Sequence, residues 1–346
     1  MPASGGSAGF IDPLSMTDNN RHSASAAFLQ VFRGNADADG AMTFERFMEL
    51  ALYDPIVGYY CRDRGRVGYA AGTDFFTAST SGPIFGELVA AACVTLLGSD
   101  RNPQDYSFVE IGAETAESVL GGVDHSFRAV RTIQRGESPS LEGKCVVFSN
   151  ELFDAQPFRR FVGRGGHWCE LGVALREGAL VEIEIPLDRP LPNFLPAITP
   201  EGYQVDAPLA AAALATKIAA QSWTGLFVAC DYGKALSELM ESTPTGTARA
   251  YFKHTQSNQL LARPGEQDLT CHVCWDWLID VLGHAGFIRS KVESQEAFFI
   301  RHAANFIAAL SAANAAHFSQ RKLSLMQLLH PAHLGQKFQV LHAWRD

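Results

Sequence analysis

Three short apolar runs constrain this chain most: Ser107 to Ile111 (SFVEI), Lys144 to Phe148 (KCVVF) and Leu226 to Cys230 (LFVAC). Each is nearly all apolar and each is followed at once by polar or glycine residues: Gly112-Ala113, Ser149-Asn150-Glu151 and Asp231-Tyr232-Gly233. A strand buried on both faces reads this way, with its carboxyl end opening onto a site. The spacing predicts a parallel α/β sheet with helices between the strands.

Helical segments fill the intervals. Thr43 to Leu52 places Phe44, Phe47, Met48 and Ala51 on one face, with Thr43 as cap and Asp54-Pro55 as stop. Pro83 begins and Gly98 ends a second helix. An Ala-rich helix covers 207–221, and further helices cover Trp275 to His284 and Phe299 to Ala315. Residues 158–185 alternate and carry Gly163, Gly165, Gly166 and Gly172, which predicts antiparallel β inserted after the second apolar strand. Phe338 to His342 reads as a last strand, residues 58–77 as a glycine- and aromatic-rich loop, and residues 1–25 as a disordered tail.

With 28 Lys+Arg against 37 Asp+Glu, the chain carries a net charge of −9, which argues against a general nucleic-acid surface. No apolar run is long enough to span a bilayer, and the N-terminus lacks the basic and apolar regions of a secretory signal. Seven scattered cysteines, an odd number, fit free thiols in a reducing compartment. A cytoplasmic protein is expected.

Five groups of residues could carry chemistry. Glu110-Ile111-Gly112-Ala113 ends the first apolar strand, but a full glycine signature would also place Gly at 114 and 116, where Glu114 and Ala116 stand. On this motif alone, an ordinary tight turn is the better reading. Ser149 to Pro157 (SNELFDAQP) clusters Asn, Glu and Asp past the second strand, suited to holding an amine or to helix capping. Asp231 could face a substrate or cap its loop, and His254 is an acid/base candidate or a surface residue. Cys271 and Cys274 form CxxC around His272; zinc needs four ligands and no second pair exists, so no metal site is expected. GxSxG, HExxH and P-loop motifs are absent.

Several longer segments, in order, resemble the MidA/DUF185 family of class I S-adenosylmethionine-dependent methyltransferases, whose mitochondrial members assist assembly of respiratory complex I. They are FMELALYDPIVGYY (47–60), TDFFTASTSGPIFGEL (73–88), VEIGA (109–113), SNELFDAQPFRRF (149–161), CDYG (230–233), RAYFKH (249–254), RPGEQDLTCHV (263–273) and LLHPAHLGQKFQVL (328–341). The resemblance implies one methyltransferase-like Rossmann-type domain over 26–346. It would have a seven-stranded sheet, a helical and loop part at 26–105 and a β insertion near 158–205.

It also implies S-adenosylmethionine as cofactor and a protein side chain, arginine in relatives, as methyl acceptor. By motif, Asp74, Phe75 and Thr77 would cover the cofactor, Gly86 and Glu87 would lie beside it, and Glu110, Gly112 and Ala113 under its methionine end. Ser149, Asn150, Glu151 and Asp154 would line the place of transfer. A guanidinium needs carboxylates to hold its charge and direct a nitrogen lone pair, which makes Glu151 and Asp154, with Asn150 beside them, the catalytic candidates.

The departures fall on the cofactor side. The glycine turn keeps only Gly112. No acid ends the candidate second strand (Phe127 to Ile133, followed by Gln134-Arg135), Glu137 being the nearest. The stretch 113–149 has little room for two crossovers of ~30 residues each. The alternative expectation is therefore an inactive homologue that serves as a protein-binding or assembly factor.

Overall fold

The computed structural model describes residues 24–61, 82–113, 117–187, 189–313 and 319–346. The three apolar runs are neighbouring strands of a six-stranded sheet: β1 (Ser107–Ala113), β2 (Ala129–Gln134), β3 (Glu142–Asn150), β4 (Ser222–Asp231), β5 (Ile288–Ser294) and β6 (Gln339–Arg345). Their spatial order is β5-β6-β4-β3-β1-β2. The β2–β1, β1–β3 and β3–β4 pairs are parallel, whereas β6 runs antiparallel to both β4 and β5.

Helices pack on both faces. One face carries α3 (Pro83–Leu97), α6 (Gln295–His302), α7 (Ala304–Ala313) and α8 (Gln320–Leu329), whose buried side chains meet Phe108, Val146, Phe148, Val228 and Val340. The other carries α4 (Leu209–Ala219) and α5 (Trp275–His284) against Val109, Val147, Phe227 and Leu341. Residues alternate between the two cores along each strand, which is why both faces had to be apolar.

The implied seventh strand is not among the described residues. From β1 to β2, and again over 135–141 from β2 to β3, the described chain forms no helix. The second connection is seven residues, too short for an extra strand and its crossover. β2 is consequently an edge strand in which only Ile133 is buried.

The β insertion is a five-stranded antiparallel sheet of residues 41–43, 159–164, 167–176, 179–185 and 204–207. α1 (Ala26–Asn35) and α2 (Phe44–Tyr53) pack beside it. Two buried ion pairs stand on its second strand: Arg159 with Glu170 (2.5 Å), and Arg160 with Asp206 (2.8 Å) and Glu182.

The helix expected over 299–315 starts four residues earlier and breaks at Ala303. Ser294 caps it, accepting from the amide of Ala297. β5 was not anticipated, because an edge strand with exposed polar positions lacks the apolar signature. The tail at 1–23 and the loop at 62–77 lie outside the described residues. All seven cysteines are free. No described helix is long and apolar enough to cross a membrane.

Candidate functional site

A cleft of about 560 Å³ opens at the carboxyl ends of β1 and β2. Its walls include Ile111, Gly112 and Ala113, the turn Gln134 to Pro139, Tyr53 and Tyr60, Leu152, and Leu214 and Lys217 of α4. Its volume lies within the ~300–1,000 Å³ range of small-molecule sites.

The two tyrosines come from the 47–60 segment. Their rings stack at 5.4 Å, and the Arg135 guanidinium lies 4.3 Å from the centre of the Tyr60 ring. Tyr53 donates to the carbonyl of Ala155 (2.8 Å), and burial pushes its hydroxyl up to about 12. Tyr60 donates to Asp268 Oδ1 (2.8 Å). Segments separated by two hundred residues are thus joined at one wall.

Glu137 is the residue that motif reading undervalued. Its carboxylate turns back to the end of β2 and accepts from the amide of Gln134 (2.8 Å) while lining the cleft. An acid does stand at that strand end, supplied three residues late by a turn. The signal was the Gly136-Glu137 pair, since glycine at φ +89° allows the chain to double back.

Beside the cleft lies a group of acids. Arg135 donates to the backbone carbonyl of Glu151 (2.6 Å) and so links the two. Asn150 ends β3, and its amide donates to Glu151 Oε1 (3.2 Å). Glu151 has φ +50°, a left-handed conformation that costs a non-glycine residue about 1–3 kcal/mol and points to a functional constraint. Asp154 and Asp231 are buried. Asp231 accepts from the amides of Phe153 (2.9 Å) and Tyr232 (2.8 Å), tying β4 to the segment after β3.

Burial, and then mutual repulsion, hold Glu151 and Asp154 well above the usual carboxylate range. Burial pushes Asp231 up to about 7, against the pull of its backbone donors. Three carboxyl groups that resist ionisation together form a site that a cation would stabilise. Among the described residues, the buried Ser149 Oγ, Asn150 Oδ1 and Asp154 Oδ1 have no hydrogen-bond partner.

The other residues singled out in the sequence fall as follows. Gly112 has φ +80°, a left-handed conformation that favours glycine at this turn, and a Cβ there would press on the flexible end of Leu152, 2.5 Å from its Cδ1. Ala113 lines the cleft beside it. Glu110 is buried, accepts from Ser118 Oγ (2.7 Å) and the Val119 amide (2.6 Å), and is pushed upward by burial. It holds the turn after β1 and is not a wall of the cleft. Gly86 allows that same turn to approach α3, because a Cβ would sit 2.0 Å from the Val119 carbonyl oxygen. Glu87 is ion-paired with Arg321 of α8 (2.7 Å), also off the cleft wall. Asp74, Phe75, Thr77, Glu114 and Ala116 lie outside the described residues. Cys271 and Cys274 are buried free thiols, and His254 adopts φ +62° in the turn between two short strands.

Comparisons with known proteins bear on the family and the fold. A family model described as "Putative S-adenosyl-L-methionine-dependent methyltransferase" matches residues 113–292. Two curated relatives bear the name protein arginine methyltransferase NDUFAF7, mitochondrial. The Xenopus tropicalis protein is 22% identical, covering 82% of this chain and 77% of its own. The Danio rerio protein is 23% identical, covering 87% and 83%. Among solved structures, a COG1565 superfamily member from Burkholderia thailandensis bound to S-adenosyl-homocysteine has a TM-score of 0.78. The two are 24% identical, with 92% of both chains covered. Its native form has a TM-score of 0.74 at 24% identity, covering 92% of this chain and 91% of that one. The class I methyltransferase-like fold is thereby shown. The expected cytoplasmic location does not stand, because the named relatives are mitochondrial proteins.

Proposed function

The chain belongs to the family of S-adenosyl-L-methionine-dependent methyltransferases that its residues 113–292 match, and from that premise we propose that it transfers a methyl group to a nitrogen of a protein side chain, arginine being the best fit. The carrying observation is the acid group beside the cleft: Glu151, Asp154 and Asp231 around Asn150, with Asn150 Oδ1 and Asp154 Oδ1 unpartnered. A guanidinium presents a fixed fork of N–H donors and a delocalised charge. Both match a set of buried acceptors whose carboxyl groups hold protons above the ordinary range. The curated relatives carry arginine methylation in their names, which supports the same acceptor.

The cleft fits a nucleoside-bearing cofactor. Glu137 would hold the ribose hydroxyls, Tyr60 and Leu214 would bound the ring, and Gly112 and Ala113 would lie under the methionine end. S-adenosylmethionine supplies an electrophilic methyl on a sulfonium. What the chain must add is position and charge. Asp154 and Glu151 would bind the guanidinium and aim one nitrogen toward the cleft. A cation arriving there favours the ionised carboxylates, so a proton leaves the acid group as the acceptor binds. A carboxylate then stands ready to take the proton that the methylated nitrogen must lose. The buried backbone bonds of Asp231 keep Glu151 and Asp154 in register during this exchange.

The test is transfer from methyl-labelled S-adenosylmethionine to arginine-bearing peptides and protein extracts, with methylated arginine read by mass spectrometry. Asn150→Ala and Glu151→Gln are expected to lose transfer while keeping their affinity for S-adenosylhomocysteine. Equal transfer by both variants would overturn the site. Cofactor binding without transfer to arginine would overturn the acceptor. Failure of the wild type to bind at millimolar cofactor would overturn the enzyme and favour a non-catalytic protein-binding or assembly factor.

A further inference from the structure

At the opposite edge of the sheet from the cleft, three side chains converge on one point. Glu293 stands on β5, His342 on β6, and His302 is the last residue of α6. In the β5–β6 register Glu293 faces Val340 and Lys291 faces His342, so Glu293 and His342 are diagonal neighbours on one face of the sheet. α6 begins directly after β5 and brings His302 back over them.

Both imidazoles direct Nε2 at the same oxygen, Glu293 Oε2, at 3.2 Å from His302 and 3.1 Å from His342. The three ligand-type atoms lie within 4.8 Å of one another. We propose that Glu293, His302 and His342 form a site for a divalent transition-metal ion of the zinc type.

The distances suit such an ion. Zinc takes imidazole nitrogen at ~2.0–2.1 Å and carboxylate oxygen at ~2.0–2.2 Å, so adjacent ligands of a tetrahedron stand about 3.3–3.4 Å apart. The two measured separations are within a few tenths of an ångström of that edge. The ring orientations are set by packing. Phe298 lies 5.1 Å from the His302 ring and 5.8 Å from the His342 ring, centre to centre, and the two imidazoles meet edge-on at 5.4 Å.

Charge and donor type narrow the ion. Lys291 (3.1 Å) and Arg301 pair with Glu293 Oε1, which leaves Oε2 to the histidines. Those two cations oppose any site that relies on charge alone. Calcium and magnesium, which require several oxygen ligands, are therefore excluded in favour of an ion that prefers imidazole. His302 retains some exposure, so solvent can supply the fourth ligand. The ion would fasten the end of α6 to the antiparallel β5–β6 pair. Its ligands sit at 293, 302 and 342 in no recognisable spacing, which is why the sequence shows no metal motif.

The test is titration of the chelator-treated full chain with Co(II) alone, followed by visible absorption. The proposal expects one equivalent bound, with the intense d–d bands of tetrahedral cobalt, no thiolate charge-transfer band, and displacement by Zn(II). His302→Gln and Glu293→Gln are expected to lose stoichiometric binding, their folding being checked by circular dichroism. His302 is at a helix end and its variant disturbs the sheet least. Two neutral imidazoles merely donating to a carboxylate would show no stoichiometric binding, and that result overturns the site. So would a thiolate band, or binding unchanged in both variants. Should the variants fail to fold, protection of wild-type histidines from diethylpyrocarbonate by Zn(II) decides the same point, and lack of protection of His302 overturns it.

Discussion

Replacing Asp231 with Asn should change how stability depends on pH. Burial at the end of β4 pushes the carboxyl of Asp231 up to about 7, from an ordinary value of 3.8. Below 3.8 the folded and unfolded chains both hold its proton, and the contribution of this group is fully favourable. Between 3.8 and about 7 the folded chain keeps a proton that the unfolded chain has released, so stability falls as pH rises. Above about 7 the loss is complete.

Each pH unit of that interval is worth 1.36 kcal/mol, which makes the whole about 4 kcal/mol, of which about 3 falls between pH 5 and pH 8. Asparagine cannot ionise. It can accept from only one of the amides of Phe153 and Tyr232 with its carbonyl oxygen, which costs about 1–3 kcal/mol at every pH. The variant should therefore be less stable than the wild type below pH 4, draw level between about pH 4.5 and 6, and be more stable by about 1–3 kcal/mol at pH 8. Urea unfolding at a series of pH values measures this directly. Parallel curves for the two proteins, with no widening of the difference in favour of the variant, would refute the reasoning that the buried acid group resists ionisation.

Three further outcomes follow from the packing. Gly86→Ala should destabilise by about 1–3 kcal/mol in urea unfolding, because its Cβ meets the Val119 carbonyl oxygen at 2.0 Å and backbone must shift; an unchanged midpoint would contradict the contact. Arg159→Met should cost about 3–5 kcal/mol, since Glu170 is fully buried and would lose its 2.5 Å partner; a loss under 1 kcal/mol would mean that the pair is dispensable. Glu137→Gln should weaken S-adenosylhomocysteine by about tenfold, the size of ~1.4 kcal/mol for one charge-assisted hydrogen bond, with little change in unfolding because the residue lies in an exposed turn.

The central strands were legible because burial on both faces leaves an unbroken apolar run. β1, β3 and β4 each end within a few residues of the expected positions. The antiparallel insertion was legible from alternation and glycine spacing. β5 and the break at Ala303 were not, since edge exposure and local capping leave no periodic mark. In the acid group, Asn150, Glu151 and Asp154 were visible as a motif. Their coupling to Asp231 was not, because it depends on the parallel register that sets Asn150 beside Cys230. Arg135, Tyr53 and Tyr60 were hidden for the same reason: each is ordinary in its own segment and acquires a role only where three distant segments meet. Glu137 was missed as a strand-end acid because a turn, and not the strand, delivers it.

Calorimetric titration of the wild-type chain and Glu137→Gln with S-adenosylhomocysteine tests the central claim most directly. Saturable binding of one equivalent by the wild type, weakened about tenfold in the variant, is the expected result. No heat of binding at millimolar ligand, or the same affinity in both proteins, would contradict the assignment of the cleft between β1 and β2 as the cofactor site.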